Sequence, residues 1–174
     1  EGDRDELQQD IDSLSKWSND WQIRFNAGKC KVLHLGRNNP QHEYTMEKSN
    51  CTERVSLETT ELEKDLGVNI DPELKFSNHA EIQVAKANKI LGMIRRSYEH
   101  LDGEMMKCLF IALVRPHLEY ANQCWAPHLM RHLEAIENVQ RRATKLVKGM
   151  RDLPYEECLK HTYTHLSQVT RRPY

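Results

Sequence analysis

Apolar residues recur at steps of three and four at the start of the chain, at Leu7, Ile11, Leu14, Trp17 and Trp21, and predict an amphipathic helix over about residues 4–20. Gly28 interrupts the pattern, and Lys31–Leu35, closed by Gly36, predicts a short strand. A polar turn over 37–43 follows, with short strands expected at Tyr44–Met46 and Val55–Leu57 on either side of a polar stretch. Leu66–Ile70 alternates apolar with small or polar positions and is stopped by Asp71-Pro72, which predicts a fourth strand. Together these strands are expected to form a small antiparallel sheet.

From Ser77 onward the pattern is helical. Ser77 or Asn78 is placed to cap a helix with apolar face Ala87, Ile90, Leu91, Ile94 and Tyr98. Asp102-Gly103 separates it from a second helix carrying Met105, Leu109, Ala112 and Leu113. Pro116 and Pro127 bracket a short third helix, Leu118–Trp125. A fourth, about 131–149, presents Leu133, Ile136, Val139, Ala143, Leu146 and Met150. The expected fold class is α+β: a small helix-plus-antiparallel-strand unit over 1–76, then an all-helical bundle over 77–174. Trp17, Trp21, Ile90, Ile94, Leu109, Leu113 and Trp125 are expected to be buried, and the first unit is expected to be the less stable, because its strands leave an exposed edge.

The 174 residues are 39% hydrophobic and 29% charged, a globular balance. No apolar run approaches the roughly 18 residues that span a bilayer, and the acidic opening does not resemble a signal peptide. The five cysteines are odd in number, widely spaced and without a C-x-x-C pair, which argues against a disulfide framework or zinc ribbon and for a reducing, intracellular setting, cytoplasm or nucleus. Charge is divided unevenly. Residues 1–80 carry 10 Lys/Arg against 16 Asp/Glu, and residues 81–174 carry 15 against 10, so the second half suits a polyanion.

Two basic stripes carry that charge. Lys86, Lys89 and Arg96 fall on one side of their helix, away from the apolar face. Arg141, Arg142, Lys145 and Lys148 cluster opposite the apolar residues of the fourth helix. Such spacing neutralises successive phosphates without reading sequence, although charge on an exposed helix face is also the default of any soluble protein. Asn26–Lys31 lacks the glycine spacing of a Walker loop and precedes a strand, so Lys29 is a candidate phosphate ligand or proton donor only. Cys158, His161 and His165 share a helical side but lack a fourth zinc ligand, and Asn50-Cys-Thr52 matches the glycosylation pattern in a chain with no secretory signal. The early acids Asp3, Asp5, Asp10 and Asp12 fit the polar face and first turn of a helix rather than a metal-binding pair. By themselves the residues compose no complete active site.

Five blocks, in order, resemble one family. Trp17–Gly36, with its Asn26-Ala-Gly-Lys29-Cys30 turn, is similar to the fourth palm motif of jockey-like, LINE-type non-LTR retrotransposon reverse transcriptases. Glu63–Val68 resembles the primer-grip hairpin that follows it, and Lys86–Gly92 with Arg95-Arg96, Ala112–Tyr120 with Trp125-Ala-Pro127, and Val139–Lys145 resemble the thumb and the segment beyond. The resemblance implies the C-terminal palm and thumb of an RNA-directed DNA polymerase, with an RNA template and DNA primer as partners; no membrane association is expected, from the lack of a long apolar run. It implies that Lys29 would neutralise the leaving pyrophosphate, that Leu66 and Gly67 would hold the primer strand, and that both stripes would track the duplex. The family's aromatic-x-Asp-Asp turn does not occur in this sequence. The chain is therefore expected to be a fragment that is inactive alone and carries no cofactor, the magnesium belonging to a full-length parent. Two other classes remain open: a noncatalytic nucleic-acid-binding module, and an inert or protein-binding helical remnant.

Overall fold

A computed structural model describes residues 2–48, 53–127 and 129–162. The Asn50–Thr52 sequon, His165 and the chain's last dozen residues lie outside them. The chain is organised as two units, Glu1–Asp65 with Ile70–Leu74, and Leu66–Asn69 with Lys75–Tyr174.

The first unit opens with α1 (Gly2–Asp20), followed by a 3-10 turn (Ala27–Lys29) and the strands β1 (Lys31–Leu33), β2 (Thr45–Glu47), β3 (Arg54–Ser56), β4 (Glu58–Thr60) and β5 (Glu63–Asp65). β2 and β3 pair antiparallel, Met46 opposite Val55, whereas β1 and β4 pair in parallel, Val32 opposite Thr59. The expected single antiparallel sheet is thus replaced by separate two-stranded pairs, one of them parallel. β4 was not expected, because Glu58-Thr-Thr60 carries no apolar alternation, whereas β5 falls within the Glu63–Val68 segment that resembles a hairpin.

α1 docks by its polar side. Gln8 accepts the Thr45 amide at 3.0 Å and donates to the Thr45 carbonyl at 2.9 Å, bonding the strand's backbone as a neighbouring strand would. Asp12 takes Arg54 at 2.6 Å, and Ser15 and Ser18 are buried. The apolar stripe is left uncovered: Trp17 is 47% exposed, Trp21 66%, and Leu7 and Leu14 are exposed beside them. Burial of Trp17 and Trp21 is therefore corrected, since the strand offers α1 backbone polar groups to satisfy rather than an apolar sheet face. Among the described residues the unit's buried apolar side chains are Ala27, Tyr44 and Met46, a small core for more than sixty residues.

In the second unit Leu66 and Gly67 lead into β6 (Val68–Ile70), whose last residue returns to the first unit. Its helices are α2 (Ser77–Ser97), α3 (Gly103–Leu109), α4 (Arg115–Glu119), α5 (Asn122–Trp125), α6 (Met130–Thr144) and α7 (Tyr155–Thr162). An α+β region followed by a helical one is the architecture observed. α2 is not capped by Ser77 or Asn78; Phe76, in the left-handed region at φ +54°, stands before it without a side-chain cap. Asp102 does cap α3, accepting from the Met105 amide at 2.8 Å.

Between α3 and α4 lies a π-helical turn, Phe110–Val114, in which the Arg115 amide reaches the Phe110 carbonyl five residues back. Pro116 follows at once and has no N–H to offer the preceding turn, so the α register breaks there. The extra residue re-aims the face: Phe110, Val114 and Leu118 are buried, while Leu113 is 40% exposed, correcting its expected burial. Ile94 and Trp125 are buried as expected, and Ile90 and Leu109 are half-buried. α6 ends at Thr144, short of the expected 149, with Gly149 at φ +81° in the turn beyond.

Candidate functional site

Lys86, Lys89 and Arg96 are exposed on α2, Lys89 and Arg96 opposite the buried Gln83, Ala87, Leu91 and Ile94 and Lys86 at the edge of that face. Among the described residues no hydrogen bond or ion pair engages their side chains. Three cations thus stand on a rigid 21-residue helix with their charge uncommitted, the state in which a polyanion gains most from them.

The α6 stripe is differently disposed. Arg142 donates to Asn88 of α2 at 3.0 Å, and the Arg141 guanidinium lies 4.9 Å from the centre of the Tyr155 ring. The Tyr155 hydroxyl donates to Glu137, and burial, with the Glu137 carboxylate beside it, pushes the phenol well above its ordinary range. Lys145 is half-buried, and its ammonium donates to the carbonyl of Arg151 at 2.8 Å and to that of Leu153. It holds the loop after α6, and Arg142 joins α6 to α2. Lys148 is exposed. Sequence spacing grouped these residues but could not separate cations with structural partners from those without.

Leu66 and Gly67 both have positive φ, +45° and +89°, the pattern of a type I′ hairpin turn between β5 and β6. Leu66 is 84% exposed, so an apolar side chain stands in solvent on a backbone that leucine rarely adopts. Gly67 is favoured by its φ, and a Cβ there would sit 3.2 Å from Cε1 of Tyr120, close enough that the ring would have to shift slightly. Lys29 is exposed in the 3-10 turn of the first unit, its amide bonded to the Asn26 carbonyl at 2.8 Å. The other expected site residues belong to the second unit.

Sequence reading missed the polar group behind the Leu66–Gly67 turn. His79, fully buried, accepts the Asn69 amide at Nδ1 (3.2 Å), and its ring meets the Trp125 ring in a T-shaped contact with centroids 4.8 Å apart. Burial, and then the charge of Lys86, holds its pKa below the ordinary histidine value. The signal was present: His79, Gln83, Ala87 and Leu91 follow one another at steps of four, which puts the first two on the dry face.

Cys158 is buried with its thiol toward the Met150 carbonyl at 3.4 Å, which gives it a structural setting. Among the described residues no group of three or more His, Cys, Asp or Glu is disposed to hold a metal ion, so the magnesium implied by the resemblance meets no fitting carboxylate cluster there. No described helix is long and apolar enough to cross a membrane.

Over 156 residues the chain is 27% identical to the RNA-directed DNA polymerase from mobile element jockey of Drosophila funebris, an alignment covering 83% of this chain. The chain spans only 16% of that protein's length. No family model and no solved structure matches it. The likeness points to a retrotransposon reverse-transcriptase-like region.

Proposed function

We propose that this chain is the duplex-holding part of a retrotransposon RNA-directed DNA polymerase, corresponding to the end of the palm, the primer grip and the thumb. The observation that carries the reading is the α2 stripe: Lys86, Lys89 and Arg96 are exposed, uncommitted, and fixed on a helix whose opposite face is anchored in the core. Cations so held can meet successive phosphates of an RNA–DNA duplex at little ordering cost. Arg141, Arg142 and Lys148 extend the basic surface, and Lys145 serves it indirectly by holding the 151–153 loop. Leu66 and Gly67 lie against the primer strand, the glycine permitting close backbone approach. The similarity to the jockey polymerase supports the substrate class.

Lys29 acts on a leaving pyrophosphate only where two metals already hold a nucleotide in line, and the carboxylates for that are not grouped among the described residues. On this reading the chain binds template–primer without extending it. Fluorescence anisotropy with a labelled RNA–DNA duplex tests the proposal: affinity with little sequence preference that falls steeply with salt supports it, and no binding at low salt refutes it.

A further inference from the structure

Leu66 is an exposed leucine held at positive φ, and such backbone persists only where its surroundings impose it. The surroundings form a closed circuit within the second unit. The Tyr120 hydroxyl donates to the Leu66 carbonyl at 2.7 Å, and the Tyr120 ring lies against Gly67, within 3.2 Å of where a Cβ would be. The Tyr120 carbonyl accepts the Trp125 indole N–H at 2.6 Å. The Trp125 ring meets His79 at 4.8 Å, nearly perpendicular, and His79 accepts the Asn69 amide two residues beyond Gly67. The turn is thereby fastened at both ends, by a hydroxyl at residue 66 and an imidazole at residue 69.

Most of this circuit is buried. His79 and Trp125 are in the core, and Val68 between the two attachment points is 7% exposed. Tyr120, by contrast, is 52% exposed and spends its hydroxyl on one backbone carbonyl. That bond is not needed to fill the core; it ties the Leu66 carbonyl of the turn to the Tyr120 side chain.

We propose that Tyr120, backed by Trp125 and His79, is a positioning residue that sets the Leu66–Gly67 turn at the height where it meets the end of a primer strand. The inference rests on the duplex-holding reading and adds what that reading does not contain: a residue that touches no nucleic acid but decides whether the chain distinguishes a recessed 3′ end from continuous duplex. The α2 stripe supplies affinity for any duplex, and the fastened turn supplies the preference for an end.

The experiment compares the full chain with Tyr120→Phe, which removes one oxygen from a half-exposed ring and leaves the ring on Gly67. Binding is measured by anisotropy to two RNA–DNA duplexes of equal length, one blunt and one with a recessed 3′ end, and amide exchange is followed at residues 66–69. The parent is expected to prefer the recessed end. In Tyr120→Phe that preference should fall by about 2- to 10-fold, the worth of one hydrogen bond, while blunt-duplex affinity is unchanged and exchange quickens at 66–69 only. Faster exchange with the preference intact overturns the positioning role and leaves the duplex-holding reading standing. A parent that binds duplex but shows no end preference also overturns it. A parent with no duplex affinity removes the duplex-holding reading, and the positioning role with it.

Discussion

The Nδ1 of His79 accepts the backbone N–H of Asn69 at 3.2 Å, so the imidazole must be neutral at that nitrogen for the bond to exist. Burial and the nearby Lys86 charge both disfavour the imidazolium. The sign follows from linkage. Because the folded pKa lies below the unfolded value of about 6.5, the unfolded chain takes up the proton first as pH falls. The contribution of His79 to stability should therefore be constant above about pH 7 and decline below about 6.5, by at most about 1.4 kcal/mol per pH unit, until the folded pKa is passed. Urea unfolding of the parent and His79→Gln between pH 8 and 5 checks this; the same slope in both would exclude His79 as its source.

The polar docking of α1 makes a second expectation. Gln8→Ala removes both bonds to the Thr45 backbone and leaves its amide and carbonyl to solvent or unpaired. A cost of about 1–2 kcal/mol to the first unit is expected, seen as faster exchange of the Thr45 amide with the second unit unaffected. Trp17→Ala, on the uncovered face, should stay within about 0.5 kcal/mol of the parent.

The second unit should answer the opposite way. Phe110 and Trp125 are each 2% exposed in the core, so replacing either with alanine should cost about 3–5 kcal/mol in chemical denaturation. Leu113→Ala, on the face turned outward by the π-helical turn, should cost far less. Equal losses at Phe110 and Leu113 would contradict the register described for that segment.

Much of the second unit was legible in the sequence because α2 and α6 are long enough for periodicity to speak: Ala87, Leu91, Ile94, Ile136, Val139 and Ala143 are buried as their spacing requires. Leu113 misled because a π-helical turn shifts the period by one residue, and Pro116 marked the place without stating the remedy. α1 misled for another reason. Periodicity locates an apolar stripe but not what lies opposite it, and here Thr45 presents backbone groups that Gln8 satisfies. β4 and β5 are three-residue polar strands that leave no periodicity to read, and β5 was legible only through the hairpin resemblance of Glu63–Val68. Of the candidate site, the basic positions were legible and their commitments were not: nothing in the spacing of Arg141, Arg142 and Lys145 foretold Tyr155, Asn88 and the 151–153 carbonyls.

No primer extension is expected from the purified chain, since two-metal phosphoryl transfer needs grouped carboxylates and no group of three or more His, Cys, Asp or Glu among the described residues could hold a metal ion. Template-dependent nucleotide incorporation with magnesium, above mock-purified controls, would overturn that expectation.

The central claim is that the α2 stripe grips phosphates, and charge reversal of Lys86, Lys89 and Arg96 together tests it most directly. All three are exposed, so the fold should be retained, with circular dichroism and the unfolding midpoint as the check. An Arg4→Glu/Lys16→Glu/Lys160→Glu chain, altered at three exposed cations off the stripe, controls for net charge. Duplex affinity is measured across a salt series for the three proteins. The stripe variant should bind more weakly, alike on unrelated sequences, with the log–log salt slope flattened by about 0.9 for each phosphate it no longer neutralises, while the control stays near the parent. A stripe variant that binds as tightly as the parent at low salt, with the same slope, would contradict the account.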